Sequence, residues 1–379
     1  MSRKHFLYLV IALVVLGGAG LALFWQDIAD YRASGAKIGA KLLPGLKIAD
    51  VAEIRLQDPK HRVTLVRKEK MWVVQERGGY PASFQEISDL MIKLVELKVT
   101  QSEHVGASLL PRVELADPDK GEGGGTLIEF RDGAGKVLAG LVLGKKVLKK
   151  DPLNPLPSAK DGVPAGRYVR VVGAKDIVVV VSDPLPRAEA DPGKWLSKDF
   201  FKADRIRTLA AGPEGAEPRW KITRAEEWGQ WRFAGGGGDL NPSAAVAAVN
   251  KLGSLAFDDV ALEPGKDAVG KPSVIIAETF DNLVYTVKLS ARGKGDEYLV
   301  SFTVKGAPPK TRVPEKGEKP EDKERRDKEF AESRKRLEER IAEEQALANW
   351  TYVIGKRELE PLLRPRSEMV AQRRETARR

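Results

Sequence analysis

The sequence predicts an α+β protein: an N-terminal transmembrane helix followed by two tandem, duplicated units, each a mostly antiparallel sheet with one packed helix. Three observations predict this. Residues 6–25 are an apolar run without charge. Two long stretches of the remaining chain echo one another in the same order. Within each stretch, apolar residues alternate with period two, switch to helical spacing, and return to period two.

The run "FLYLVIALVVLGGAGLALFW" begins at Phe6 and ends at Trp25. As a helix it is roughly 30 Å long at about 1.5 Å per residue, the hydrocarbon thickness of a bilayer. Arg3, Lys4 and His5 precede it, and Trp25 stands where an interfacial aromatic would. A cleaved signal peptide has a shorter apolar core, about 7–15 residues, and an A-x-A-like site. No such site precedes Asp27. The expectation is an uncleaved signal-anchor with the short N-terminus in the cytoplasm and the body outside it. Arg32, Lys37 and Lys41 on the far side keep the charge bias modest.

The duplication rests on ordered echoes. "RVTLVRKEKMWVV" (62–74) matches "RWKITRAEEWGQWRF" (219–233), with Trp72 opposite Trp231. "YPASFQEISDLMIKLVEL" (80–97) matches "NPSAAVAAVNKLGSL" (241–255), and "TLIEFRDGAGKVLAGLVLG" (126–144) matches "SVIIAETFDNLVYTVKL" (273–289). "RYVRVV" (167–172) then matches "EYLVSFTV" (297–304), and "IVVVVSDPLPR" (177–187) matches "WTYVIGKRELEPLLR" (350–364). These give a signal-anchor over 1–26, a linker over 27–47, repeat units over 48–197 and 198–369, and a basic tail over 370–379.

In the first repeat Val63 and Leu65 alternate as in a half-buried strand. Ser83 and Glu86 make an S-x-x-E capping box, and Phe84, Ile87, Met91, Leu94 and Leu97 recur at helical spacing. Val137, Ala139, Leu141 and Leu143 alternate again. The run 177–181, apolar on both faces, predicts a central, covered strand. In the second repeat Trp220 and Ile222, then Trp231 and Phe233, alternate. Asn241 is the expected cap, Pro242 the first helical residue, and Val246, Val249 and Leu252 the buried stripe. Matching Pro81 to Pro242 makes this helix three residues shorter than its counterpart. Leu283, Tyr285, Val287 and Leu289 form the next strand. Leu94 and Leu252 are expected to be buried equivalents, so that an aspartate at either unfolds its own unit.

The order "W-x-V … YPAS … LxxL … LGK … YVR … VVVV" followed by "KWLSKDFF" resembles the bacterial family catalogued as domain of unknown function 4340. The resemblance covers residues 48–369 and rests on Trp72, Pro81, Leu97, Gly144, Tyr168, Trp195 and Leu196. It implies an N-terminal segment in the inner membrane, an extracytoplasmic body and genes beside those of gliding-motility-type ABC transporters. It implies no activity and transfers no site residue. The charged stretch at 310–345 departs from the family pattern.

The residues themselves point to no reaction. The chain of 379 residues is 42% hydrophobic, carries a net charge of +10 and has no cysteine, which excludes disulfides, thiolate metal sites and a cysteine nucleophile. The positive charge is dispersed and lacks interleaved aromatics, so no nucleic-acid partner is expected. "GLVLGKK" (140–146) falls short of a phosphate loop, because only three residues separate Gly140 from Gly144 and Lys146 replaces the hydroxyl. "GEGGGT" (121–126) and "GGGGD" (235–239) read as loops. His5, His61 and His104 have no zinc spacing. Asp117 and Asp119 have calcium-like spacing without the later ligands of such a loop. No catalytic, cofactor-binding or metal-binding residue is assigned and no cofactor is expected. Trp72 and Trp231 read as core aromatics, with a ligand groove as the alternative.

The leading expectation is a non-catalytic, membrane-anchored envelope protein, an accessory or scaffold component of an ABC-type transporter or envelope assembly. The alternatives are a polymer- or ligand-binding envelope module with a groove between the units, and an envelope hydrolase. The expected partners are the membrane, through residues 6–25, and envelope proteins such as transporter subunits. In the first repeat, four residues, Gly173, Ala174, Lys175 and Asp176, separate two strands whose counterparts in the second stand about 45 residues apart. The intervening insertion, about 306–348, predicts a projecting, coiled-coil-like helix with a narrow stripe of Phe330, Leu337 and Ile341 and a flexible lead. Replacing 306–348 with a short turn is expected to leave the fold intact.

Overall fold

A computed structural model describes residues 37–69, 71–149, 162–173, 177–314 and 318–371. The chain divides between Leu196 and Ser197 into two compact units.

The first unit is a nine-stranded sheet. Its strands are β1 (Glu53–Gln57), β2 (Arg62–Lys68), β3 (Met71–Val74), β4 (Tyr80–Pro81), β5 (Val99–His104), β6 (Thr126–Arg131), β7 (Val137–Lys149), β8 (Val163–Val171) and β9 (Ile177–Val181), in the spatial order β4-β3-β2-β1-β6-β7-β8-β9-β5. Every pairing is antiparallel. Ile54, Leu56, Val63, Leu65, Ile128, Phe130, Leu141 and Leu143 point to one face and are fully buried. Helix α1 (Phe84–Glu96) presents Ile87, Leu90, Met91 and Leu94 as its buried face, and the Ser83 hydroxyl accepts the Glu86 N–H at its start. A second, smaller core joins Leu115, Val142 and Val178, with Leu110, Val113 and Tyr168 packed against it. The connection between β5 and β6 supplies Leu110, Val113 and Leu115 to it. This explains why β9 is covered on both faces although it is next to the edge strand β5 and not central.

The second unit is an eight-stranded sheet of β10 (Ile206–Pro213), β11 (Trp220–Thr223), β12 (Arg232–Phe233), β13 (Asp259–Ala261), β14 (Ala268–Thr279), β15 (Leu283–Arg292), β16 (Glu297–Gly306) and β17 (Thr351–Gly355). Its order is β12-β11-β10-β14-β15-β16-β17-β13, again with antiparallel pairing. Apart from β4, this is the strand order of the first unit. Helix α2 (Pro242–Gly253) is capped by Asn241, whose side chain accepts from Ser243 and Ala244. Its buried residues are Ala244, Ala245, Ala248 and Leu252. The core of the unit also holds an aromatic cluster. Phe200 packs 4.5 Å from Tyr352, and Phe201 packs 4.4 Å from Phe302, between ring centroids. The unit also holds α3 (Pro320–Leu347), α4 (Lys356–Leu363) and two single-turn helices.

Both units close in the same way. The backbone N–H of Ser83 donates to Trp195 O, and that of Asn241 donates to Met369 O. The residue before each cap forms a bridge, Ala82 with Leu196 and Leu240 with Val370. Trp195 and Met369 are both buried.

Several expectations need correction. Among the described residues, the α+β class with one helix per unit gives way to two antiparallel sheets with few helices, unevenly shared: α1 in the first unit, α2, α3 and α4 in the second. Among the described residues no helix is long and apolar enough to cross a membrane. The longest, α3, carries charge along its length. The run 6–25, from Phe6 to Trp25, lies outside the described residues, as do His5 and most of the basic tail. Pro81 and Pro242 are not equivalents: Pro81 sits in β4, whereas Pro242 opens α2. Counted from the caps, the helices agree, because Ser83 and Asn241 each stand eleven residues before Leu94 and Leu252. The α2 stripe is set by alanines, and Val246 is exposed. Phe84, the first residue of α1, is exposed as well. Val137 is displaced from the buried face because the β6–β7 ladder shifts register between Phe130 and Arg131.

Leu94 and Leu252 are both fully buried. Leu94→Ala and Leu252→Ala are each expected to cost about 2–5 kcal/mol by leaving a cavity. Hydrogen exchange read by mass spectrometry is expected to show faster exchange in the substituted unit in each case. Two variants with wild-type protection would refute the packing described for these helices.

Candidate functional site

The glycine motifs have structural explanations. Gly144 lies inside β7, and a Cβ there would come 2.3 Å from Val113 O. A Cβ on Gly125 would come 2.4 Å from Glu114 O. Both glycines let the covering segment of the first unit approach the sheet backbone closely. Gly235, Gly236, Gly237 and Gly238 all have positive φ, and the Arg366 guanidinium donates to the carbonyls of Gly236 and Gly237 while lying 4.3 Å from the Phe233 ring centroid. The acidic pair is also occupied: Asp117 accepts from Arg170 at 2.6 Å and Asp119 from Gln57 at 2.6 Å. His61 is exposed beside Asp58, and of His104 only its backbone place opposite Ile177 is described. Among the described residues no group of three His, Cys, Asp or Glu side chains is arranged to hold a metal.

The two matched tryptophans each stand two residues before a paired strand residue, Val74 and Phe233, but in different surroundings. Trp72 is half-buried in β3, opposite Arg67. Trp231 precedes β12, and the Arg224 guanidinium lies 4.8 Å over its ring. The connections differ in length. β2 ends at Lys68 and β3 starts at Met71, whereas β11 ends at Thr223 and β12 starts only at Arg232. The longer connection carries Trp228, which is 92% exposed.

This connection, the face of α2 bearing Val246 and Val249, and the segment 203–206 line an open groove of about 600 Å³ within the second unit. Its polar wall is fixed. Arg205 donates through Nε and Nη2 to the two carboxylate oxygens of Glu227, both at 2.9 Å, and through Nη1 to Asp281. The bond to Glu227, followed by the charge of Asp281, raises the Arg205 pKa against the opposing effect of burial. Arg205 holds a left-handed φ of 51°, a conformation that side chains other than glycine rarely adopt. Arg224 donates to Ile206 O at 2.8 Å and to Glu227 O, which holds the connection down.

Beside the groove lies the root of α3. Glu344 is only 3% exposed. Its carboxylate accepts from the Lys202 N–H at 3.0 Å and from the Tyr285 hydroxyl at 2.8 Å, and Arg340 lies 3.6 Å away. Arg340 also donates to Asp204 at 2.9 Å. Burial raises the Glu344 carboxyl above its ordinary range, against the lowering effect of these donors, and burial likewise raises the Tyr285 phenol. At the other end of α3 the balance is reversed. Arg312 donates to Glu318 and Asp327, and its hydrogen bonds hold the Glu318 carboxyl below its ordinary range. The lead into the helix is thus pinned at Arg312 instead of free, and Pro308 is buried. Ile341 is buried, while Phe330 and Leu337 are half-buried. Helix α3 is therefore seated along its stripe, and its remaining faces are exposed.

Comparison with protein-family models, with curated proteins and with solved structures gave no match. Of the motif residues singled out in the sequence, Leu97, Trp195 and Leu196 are buried, and the Trp195 indole N–H donates to Glu189 O at 2.8 Å.

Sequence reasoning found Trp231 but missed Trp228, Arg205 and Glu227. The signal was the excess length between the matched strands, together with the W-x-x-W spacing. The buried Glu344 carried no local signal, because it sits among many charged residues of one helix.

Two outcomes are expected. Gly144→Ala would force the segment around Val113 outward, lowering stability by about 1–3 kcal/mol, and hydrogen exchange at 107–115 would report it. Glu344→Gln tests the buried carboxylate. Folding favours its protonated form, so the cost of the ionised form is present above the raised pKa and is relieved as pH falls toward the ordinary value of about 4.3. Urea melts from pH 8 to pH 5 should show wild type gaining stability relative to Glu344→Gln on acidification. A difference that does not vary with pH would rule out a raised pKa.

Proposed function

We propose that this chain is a non-catalytic envelope protein, an accessory or scaffold component of an ABC-type transporter or comparable assembly, and that α3 is the element its protein partner contacts. One observation carries this reading. A 28-residue helix, about 42 Å long, is fixed at its root by a buried carboxylate while its outer faces carry exposed charges along its length. A helix that served only to connect β16 to β17 would need no such length, since β8 and β9 are joined across a few residues. The charge ladder includes Arg325 with Asp322 and Glu329, and Arg334 with Glu338. Such pairs keep an exposed helix formed and offer both signs of charge to a partner. The transporter class is supported by the family resemblance, and the extracytoplasmic placement by the sequence.

Removing 306–348 is not the clean test that the sequence suggests. Deletion would strip Glu344 from Lys202 and Tyr285 and expose a buried tyrosine. Substitution of Glu332, Lys335, Arg336 and Glu339 by alanine keeps the root and the helix, because all four are exposed. The expected result is unchanged thermal stability with partner recovery reduced at least about tenfold in co-purification followed by quantitative mass spectrometry. Wild-type recovery of every co-purifying protein would end this reading.

A further inference from the structure

We propose that the groove beside Trp228 binds a neutral glycan, with a sugar ring stacked on the Trp228 indole and hydroxyls bonded to the Arg205–Glu227 pair and Asn250. This site is separate from the partner-binding face of α3.

The argument begins with exposure. Trp228 is 92% exposed, although an indole is among the most apolar surfaces a protein can present to water. It is not on an unconstrained tip. Arg224 ties the connection to the Ile206 and Glu227 carbonyls, so Trp228 follows a fixed turn. Trp231 and the exposed Val246 continue the apolar wall, and Asn250 lies one helical turn along α2 from Val246. The groove volume of about 600 Å³ falls in the range of small-ligand sites, about 300–1,000 Å³.

Charge decides the ligand class. Arg205 is neutralised by Glu227 and Asp281, and Asp204 by Arg340. Arg224 is spent on carbonyls and ring faces. The lining holds two arginines, Arg205 and Arg224, and two carboxylates, Asp204 and Glu227, so its charges sum to zero and select neither an anion nor a cation; the ligand that fits is uncharged. An apolar peptide side chain is disfavoured by the same wall. It would cover the Arg205–Glu227 pair without replacing the water that now solvates its edges, a cost that grows with burial. Sugar hydroxyls replace that water, and the C–H bonds of a pyranose face carry the partial positive charge that the negative face of an indole attracts. The left-handed backbone at Arg205 adds to this, since a strained residue held by two carboxylates keeps the guanidinium in one orientation.

The test uses the full chain in mild detergent and a panel of neutral tetrasaccharides built from glucose, mannose, galactose and N-acetylglucosamine, titrated by calorimetry and intrinsic fluorescence. Saturable binding of at least one tetrasaccharide is expected, weakened at least about tenfold by Trp228→Ala and largely retained by Trp228→Phe. Because Trp228 is exposed, the melting temperature of Trp228→Ala should match that of wild type. The four-alanine α3 variant should bind the sugar as wild type does, which separates this site from the partner face. Binding that Trp228→Ala leaves intact would overturn the proposal, as would no binding to any member of the panel. Capture of an amphipathic helical peptide in place of sugar, lost in Trp228→Ala, would overturn it in favour of a peptide groove.

Discussion

The second unit depends on the satisfaction of one buried carboxylate. Glu344 sits away from water and needs donors, and it takes them from Lys202 in the entering segment and Tyr285 in β15. That requirement fixes the position of α3 on the sheet. It also fixes the segment 202–205, whose next residues bind Arg340 and then Glu227. The groove wall and the helix root are therefore held by consecutive residues of one strand-entry segment.

The first unit solves a different problem with the same strand order. Its sheet carries apolar side chains on both faces around Val142 and Val178, and the connection between β5 and β6 covers the second face. Close backbone approach there excludes side chains at positions 125 and 144, which explains glycines that resemble a nucleotide-binding loop in sequence. In the second unit the connection between β13 and β14 is short, and the extra chain is placed instead between β11 and β12 and between β16 and β17. Added length between shared strands thus gives a cover in one unit and a groove wall and a helix in the other.

The two features with functional readings differ in how they hold charge. The lining charges of the groove cancel in sum, and its exposed surface includes the Trp228 indole and the Asn250 amide. Helix α3 has ions paired along one exposed face, so both signs remain available to a partner. Neither arrangement places an acid, a base and a nucleophile together, and the readings drawn from them are of recognition.

Local signals in the sequence determined the elements. Period-two alternation marked the strands at Val63 and Leu65 and at Leu283 to Leu289, because a pleated strand puts successive side chains on opposite faces. The cap at Ser83 and the residue pattern of α1 were legible because they depend on neighbours within one turn. The tertiary structure decided whatever depends on residues distant in the chain. It made Ala244, Ala245 and Ala248, with Leu252, the buried face of α2, which packs against α4. It exposed Val137 through a register shift in the β6–β7 ladder, and it showed that the equivalent of Pro81 is not Pro242. It made Glu344 a buried group among exposed charges and placed Trp228 beside α2. None of these has a local sequence signature, since burial and pairing are properties of what packs against a residue.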